Sequence, residues 1–150
     1  MNKFMQEAIN EAKKATKESE VPVGAIVVKN GIIVARAHNL TEKNQNPTHH
    51  AEMLAINEAL NTLGTKNLSG CELYVTLEPC AMCIGACALC KIDKVYFGAY
   101  DTKSGACGGK CDVLREGCFD YKTEVFGGIE ETECKKILTQ FFEGIRKGRE

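Results

Sequence analysis

Leu73-Tyr74-Val75-Thr76-Leu77, then Glu78-Pro79, then Ala81-Met82-Cys83-Ile84-Gly85-Ala86-Cys87-Ala88-Leu89-Cys90 is the stretch that decides the fold of this 150-residue chain. The first five residues read as a buried strand. Glu78-Pro79 breaks it, because proline lacks an N–H and restricts the residue before it. Ala81 to Cys90 is short and helix-forming, and Lys94-Val95-Tyr96-Phe97-Gly98 is the next strand. Strands alternating with helices imply a sheet covered on both faces.

The same reading extends outward. Upstream, Gly24-Ala25-Ile26-Val27-Val28, the turn Lys29-Asn30-Gly31 and the run Ile32 to Ala37 predict a hairpin, since Asn-Gly between apolar runs favours a tight turn. Before it, Phe4-Met5, Ala8-Ile9, Ala12 and Ala15 recur at helical spacing and predict a helix ending ahead of Glu20-Val21-Pro22. Leu40 to Thr48 is polar and reads as a loop. Thr48 to Leu63 follows as a helix, with Thr48 as its N-cap, Ala51-Glu52 in its first turn and Gly64 as its C-cap. Downstream, Thr102 to Gly117 is glycine-rich and irregular, Val125-Phe126 is a short last strand, and Glu130 to Lys147 is a closing helix. The expected architecture is one domain over residues 1–150, an α/β fold of three α/β/α layers around a central mixed sheet of about five strands.

Bulk properties narrow the function classes. Hydrophobic residues make up 44% and charged ones 26%, the balance of an ordinary globular protein. The formal net charge is −1, so no global basic field announces nucleic acid, and such a partner needs a local patch. The last predicted helix offers one in Lys135, Lys136, Arg146, Lys147 and Arg149, residues that can equally serve only the helix dipole. No run approaches the roughly eighteen apolar residues of a membrane span. Met1 to Lys17 lacks the apolar core of a secretory signal. The nine cysteines are an odd number, and the expected compartment is the reducing cytoplasm, where clustered cysteines bind metal or fill core.

The chemistry sits in two short motifs. His50-Ala51-Glu52 opens one predicted helix and Pro79-Cys80-Ala81-Met82-Cys83 opens another. H-x-E with P-C-x-x-C is the established signature of zinc nucleobase deaminases, and both halves of it are present. Its logic can be checked on the residues. Cys80 and Cys83, three apart at a helix start, point the same way and can share one ion with His50. Three protein ligands with an open fourth position for water describe catalytic zinc. The positive end of the helix dipole favours the thiolates. Glu52 is placed to take a proton from the attacking water and pass it to the ring and then to the leaving ammonia. Cys87 and Cys90 extend the helical series and suggest a four-cysteine zinc or iron–sulfur site. That site would spread over ~15 Å at ~1.5 Å per residue, too far for one ion. Those two cysteines, like Cys71, Cys107, Cys111, Cys118 and Cys134, are expected to fill core or lie in loops.

Val21-Pro22-Val23-Gly24-Ala25, Asn39, His50-Ala51-Glu52, Thr76 to Cys83, Phe97-Gly98-Ala99-Tyr100-Asp101 and Phe141-Phe142 resemble the bacterial tRNA-specific adenosine deaminases of the cytidine/deoxycytidylate deaminase superfamily. The resemblance runs from about Glu20 to Arg149. It implies a cytidine-deaminase-like fold, one zinc ion per subunit, a homodimer, and hydrolysis of the wobble adenosine in a tRNA anticodon loop to inosine. It also implies substrate contacts. Asn39 would bond the flipped base, Ala51 would adjoin it, Asp101 and Lys103 would meet neighbouring nucleotides, and Phe142 would pack near the anticodon strand. One position departs from the family: His49, where a small residue is usual, competes with His50 as a ligand. The His-x-Glu spacing favours His50, because adjacent side chains on a helix point about 100° apart. Two other readings share part of the pattern. A deaminase of a free base or nucleotide, such as guanine or cytosine, would keep every zinc residue but need an enclosing lid. A non-catalytic zinc or iron–sulfur module would have no use for Glu52.

Overall fold

A hairpin founds the sheet. In the computed structural model, β1 (Gly24–Lys29) and β2 (Ile32–His38) pair antiparallel about Asn30 and Gly31, whose φ values of 51° and 75° are those of the favoured tight turn. β3 (Cys71–Leu77) lies antiparallel on the other side of β1, β4 (Lys94–Ala99) runs parallel to β3, and β5 (Glu124–Phe126) runs parallel to β4. The result is a mixed five-stranded sheet in the order β2-β1-β3-β4-β5. The structure describes residues 1–149. The side chain of Arg149, one of the basic groups of the last helix, lies outside the described residues.

The helices divide between the two faces. α2 (Ala51–Leu63) and α3 (Ala81–Leu89) bury Ala55, Ile56, Ala59, Ile84 and Cys87 against Ala25, Val27, Leu73, Val75, Val95 and Phe97. α1 (Lys3–Lys17) and α4 (Glu131–Arg149) cover the other face, where Met5, Ala8, Ile9 and Cys134 meet Ile26, Val28, Tyr74 and Ala99. Successive residues of β1 thus enter opposite cores. This is why its sequence is an unbroken apolar run rather than an alternating one. Each fully buried Val, Leu or Ile in these cores contributes about 1.5–3 kcal/mol.

Two glycines let helices come close. A Cβ on Gly98 would meet the Cys134 side chain and the Thr76 carbonyl, so α4 rests directly on β4 at that point. A Cβ on Gly24 would meet the backbone of Ala8 and Ala12, which seats α1 on the start of β1.

One boundary differs from the sequence expectation. The second helix begins at Ala51, not Thr48, and its cap is His50 with extended backbone at φ −70°, ψ 153°. Thr48 turns its hydroxyl to Asn46 Oδ1 at 2.7 Å and belongs to the preceding loop. Gly64 closes the helix in the left-handed conformation, as expected.

Candidate active site and metal centre

Sheet register decides where the site forms. Ala25 lies opposite Val75, which brings the start of β1 to the end of β3. Gly24 pairs with His38, so the end of β2 arrives at the same place. A cleft of about 290 Å³ opens there. Val21, Val23 and Leu77 form an apolar wall. Asn39 and Thr41 enter from the end of β2, and Asp101 and Ser104 from the loop after β4. His50, Ala51, Glu52 and Cys80 form the floor, where α2 and α3 begin.

His50, Cys80 and Cys83 each present one ligand atom, all within 4.8 Å of one another. The two sulfurs lie 3.6 and 3.5 Å from His50 Nδ1. Tetrahedral zinc, with bonds of about 2.3 Å to sulfur and about 2.0–2.1 Å to nitrogen, requires sulfur–nitrogen edges of about 3.6 Å. The three residues therefore fit one zinc ion. His50 and Cys80 both occupy helix N-cap positions, and neither side chain caps its helix. Serine, threonine or aspartate is usual there. Here the side chains are free to turn away from the helix toward the ion. Cys83 sits one turn into α3 and is fully buried.

The electrostatics match this geometry. Hydrogen bonds from the Cys83 thiol and from His50 outweigh burial and pull Cys80 down to about 4. Cys83, which donates that bond from a buried position, is pushed up. A metal ion binds cysteines as thiolates, so its binding displaces protons from this pair. His50 is raised, chiefly by its bond to Cys80. Glu52 is 4% exposed in the first turn of α2, and burial pushes its carboxyl up to about 7 against weaker pulls from backbone hydrogen bonding and His50. A dication at the three ligands pulls in the downward direction.

Several expected contacts gather in the cleft. Asn39 is 8% exposed; its Nδ2 donates to the Val21 carbonyl at 3.4 Å and its Oδ1 accepts the Thr41 N–H at 3.3 Å. Both bonds are long, which leaves the amide able to engage a ligand. Ala51 and Asp101 also line the cleft, whereas Lys103 and Phe142 do not. The Lys103 N–H is held by Asp101 Oδ1 at 2.9 Å. Phe142, 48% exposed on α4, lines a separate hollow with Leu138 and Ile145. His49 turns away from the cysteines, its ring nitrogens 2.9 Å from the Asn44 amide and 3.0 Å from the Asn46 amide. Cys87 is fully buried in the core beneath α3.

Two buried carboxylates at the cleft and its rim, Glu78 and Glu20, had no functional role predicted from the sequence. Glu78 is 3% exposed and lines the cleft. Glu20 is fully buried and accepts the Glu42 and Lys43 N–H groups at 3.0 and 2.7 Å, which pins the loop after β2. Each is an acid at the edge of an apolar strand run, the only sign the sequence offered.

Comparison with known proteins gives a consistent result. Residues 1–99 match the family model for the cytidine and deoxycytidylate deaminase zinc-binding region. The chain is similar to the tRNA-specific adenosine deaminase of Bacillus subtilis (strain 168), at 52% identity over 96% of this chain and 89% of that protein. Its counterpart in Aquifex aeolicus (strain VF5) is 46% identical over 95% of this chain and 94% of the relative. A solved structure from work on A-to-I editing by tRNA:A34 deaminases at the wobble position of transfer RNA superposes with a TM-score of 0.84 at 39% identity, covering 90% of this chain and 98% of that one.

Proposed function

The chain belongs to the cytidine and deoxycytidylate deaminase zinc-binding family and, within it, to the tRNA-specific adenosine deaminases; from that premise we propose that it hydrolyses the wobble adenosine of a tRNA anticodon to inosine. The observation that carries the chemistry is a buried carboxyl, Glu52, beside a three-ligand metal centre on the floor of a cleft. Zinc held by His50, Cys80 and Cys83, one ion per subunit, supplies Lewis acidity that lowers the pKa of water toward about 7.

The protein's own residues handle the protons and the base. Glu52 accepts a proton from the attacking water and delivers it to the ring nitrogen beside the reacting carbon. It then carries the second proton to the amino group. A carbon–oxygen bond forms, the carbon–nitrogen bond breaks, and ammonia leaves, with no change of oxidation state. Asn39 fixes the base edge through its loosely held amide. The Ala51 backbone borders the base, and the wall of Val21, Val23 and Leu77 keeps its face dry. Asp101 and Lys103 meet the neighbouring nucleotides and Phe142 packs near the anticodon strand. A single-stranded loop suits such a site, because a base already out of its stack costs little to extrude.

Residues 1–150 form one deaminase domain, and two copies form a dimer. Leu89, 72% exposed, and Met82, 36% exposed, lie on the helix that carries Cys83, and this apolar face supports a second copy bordering the site. No helix among the described residues is long and apolar enough to cross a membrane, and the cytoplasm is the proposed compartment. The deciding experiment incubates the protein with an anticodon stem-loop, guanine and cytosine. Inosine in the RNA with one zinc per chain is the expected result. Turnover of a free base with the RNA untouched overturns the reading.

A further inference from the structure

We propose that Glu78 is a positioning residue that clasps the loop after β4 and thereby sets how the protein reads the nucleotides beside its target base, an inference that rests on the tRNA reading above. The Glu78 carboxylate is 3% exposed, and no lysine or arginine pairs with it among the described residues. Its negative charge is met by backbone instead. Oε1 accepts the Asp101 N–H at 3.0 Å, and Oε2 accepts the Cys107 N–H at 3.0 Å and the Gly109 N–H at 2.8 Å. Three donors from one loop thus converge on two oxygens, an arrangement that satisfies an anion and not an amide.

The loop is shaped around this carboxylate. A Cβ on Gly105 or Gly109 would run into the Asp101 carbonyl and the Glu78 carboxylate, so only glycine fits at either position. The Ala106 N–H bonds the Pro79 carbonyl at 2.9 Å, which closes the wrap over the residue next to the ligand Cys80. Asp101 and Ser104, the two residues this loop gives to the cleft, lie just inside the clasp. Asp101 is bonded through its backbone N–H to Glu78 and through Oδ1 to the N–H groups of Lys103 and Ser104. Glu78 therefore acts at one remove. It need not touch the base, but it fixes the strip of loop that faces whatever flanks the base.

The test uses full-length protein and an anticodon stem-loop with adenosine at the wobble position, beside stem-loops altered at the nucleotide on either side. Glu78→Gln places an amide N–H₂ against a backbone N–H and opens the clasp from the strand. Gly109→Ala opens it from the loop and leaves Glu78 untouched. Both variants are expected to raise KM about tenfold or more while kcat falls less than about threefold, the pattern of lost binding rather than lost chemistry. Discrimination between intact and altered stem-loops shrinks in both, and zinc stays at one per chain. Glu78→Gln combined with Asp101→Ala is expected to cost less than the sum of the two, because both act through one loop. Unchanged KM and discrimination in both variants overturn the proposal. Zinc loss in Glu78→Gln with full discrimination in Gly109→Ala also overturns it and places Glu78 in the metal centre. If Glu78→Gln does not fold, Gly109→Ala decides alone. A wild-type protein that leaves every stem-loop unedited overturns the functional reading and this proposal with it. A wild type that edits beside variants of unchanged behaviour overturns this proposal alone.

Discussion

The floor and the rim of the cleft are built by different means. The floor consists of two helix starts, and its ligands sit at or one turn beyond the caps, braced by the core beneath α2 and α3. The rim consists of two loops with little regular structure, each tied down by one buried carboxylate, Glu20 on one side and Glu78 on the other. Helix geometry sets ligand positions through the backbone period itself. Loop geometry has to be imposed by side chains that come from elsewhere in the chain. The difference teaches that chemistry and selectivity rest on separable supports, so damage to one need not reach the other.

The sharpest way to break this division is at the metal. His50→Ala is expected to abolish zinc binding and activity together, whereas His49→Ala keeps both, because His49 is turned toward Asn44 and Asn46. Zinc analysis of the two purified variants checks this, and the opposite pattern would exchange their roles. Next in size is Glu52→Gln. It keeps zinc and fold but loses about 10²–10⁴ in kcat, the usual range for a general acid–base. Near-normal single-turnover rates would put the proton carrier elsewhere.

Smaller effects test the rim and the far face. Glu20→Gln leaves a buried loop amide short of its acceptor and is expected to cost about 1–3 kcal/mol of stability. A raised KM with unchanged zinc content should accompany it, read by thermal unfolding and steady-state kinetics. Activity lost through zinc would erase the contrast between floor and rim. The least effect falls on α1, across the sheet from both. Burial works to raise the Glu11 carboxyl, yet hydrogen bonds from Lys14 and His38 hold it below the ordinary 4.5. A carboxyl lowered in the fold stabilises above its unfolded pKa, and that share is lost as pH falls through the lowered value. Urea midpoints across the acid range should therefore decline less steeply in Glu11→Gln than in wild type, with activity at neutral pH unmoved.

How much of this was legible follows the same line. Helix period, strand runs and the Asn-Gly turn depend on neighbours in sequence, and the elements they predict are the elements found. The ligands were legible for the same reason, since a three-residue cysteine spacing at a helix start is a local fact. The start of α2 was misplaced because Thr48 has the chemistry of a cap, while the real cap, His50, gives its side chain to the metal site. Glu78 and Glu20 read only as boundary residues of their strand runs, and nothing marked them as loop anchors. Their partners are backbone amides 22 to 31 residues away, which carry no side-chain signature. The direction of the His49 ring was not legible either, because the asparagines that hold it have no marked spacing.

The bare Cα of Gly98 against Cys134 gives the molecule a clock. Cys134 is 1% exposed, and burial pushes its thiol up to about 12, so a reagent in solution is kept from its sulfur while α4 is seated. Cys111 and Cys118 are exposed and supply the fast reference within the same molecule. The rate at which Cys134 takes an alkyl label, divided by theirs, counts how often the last helix lifts off the sheet.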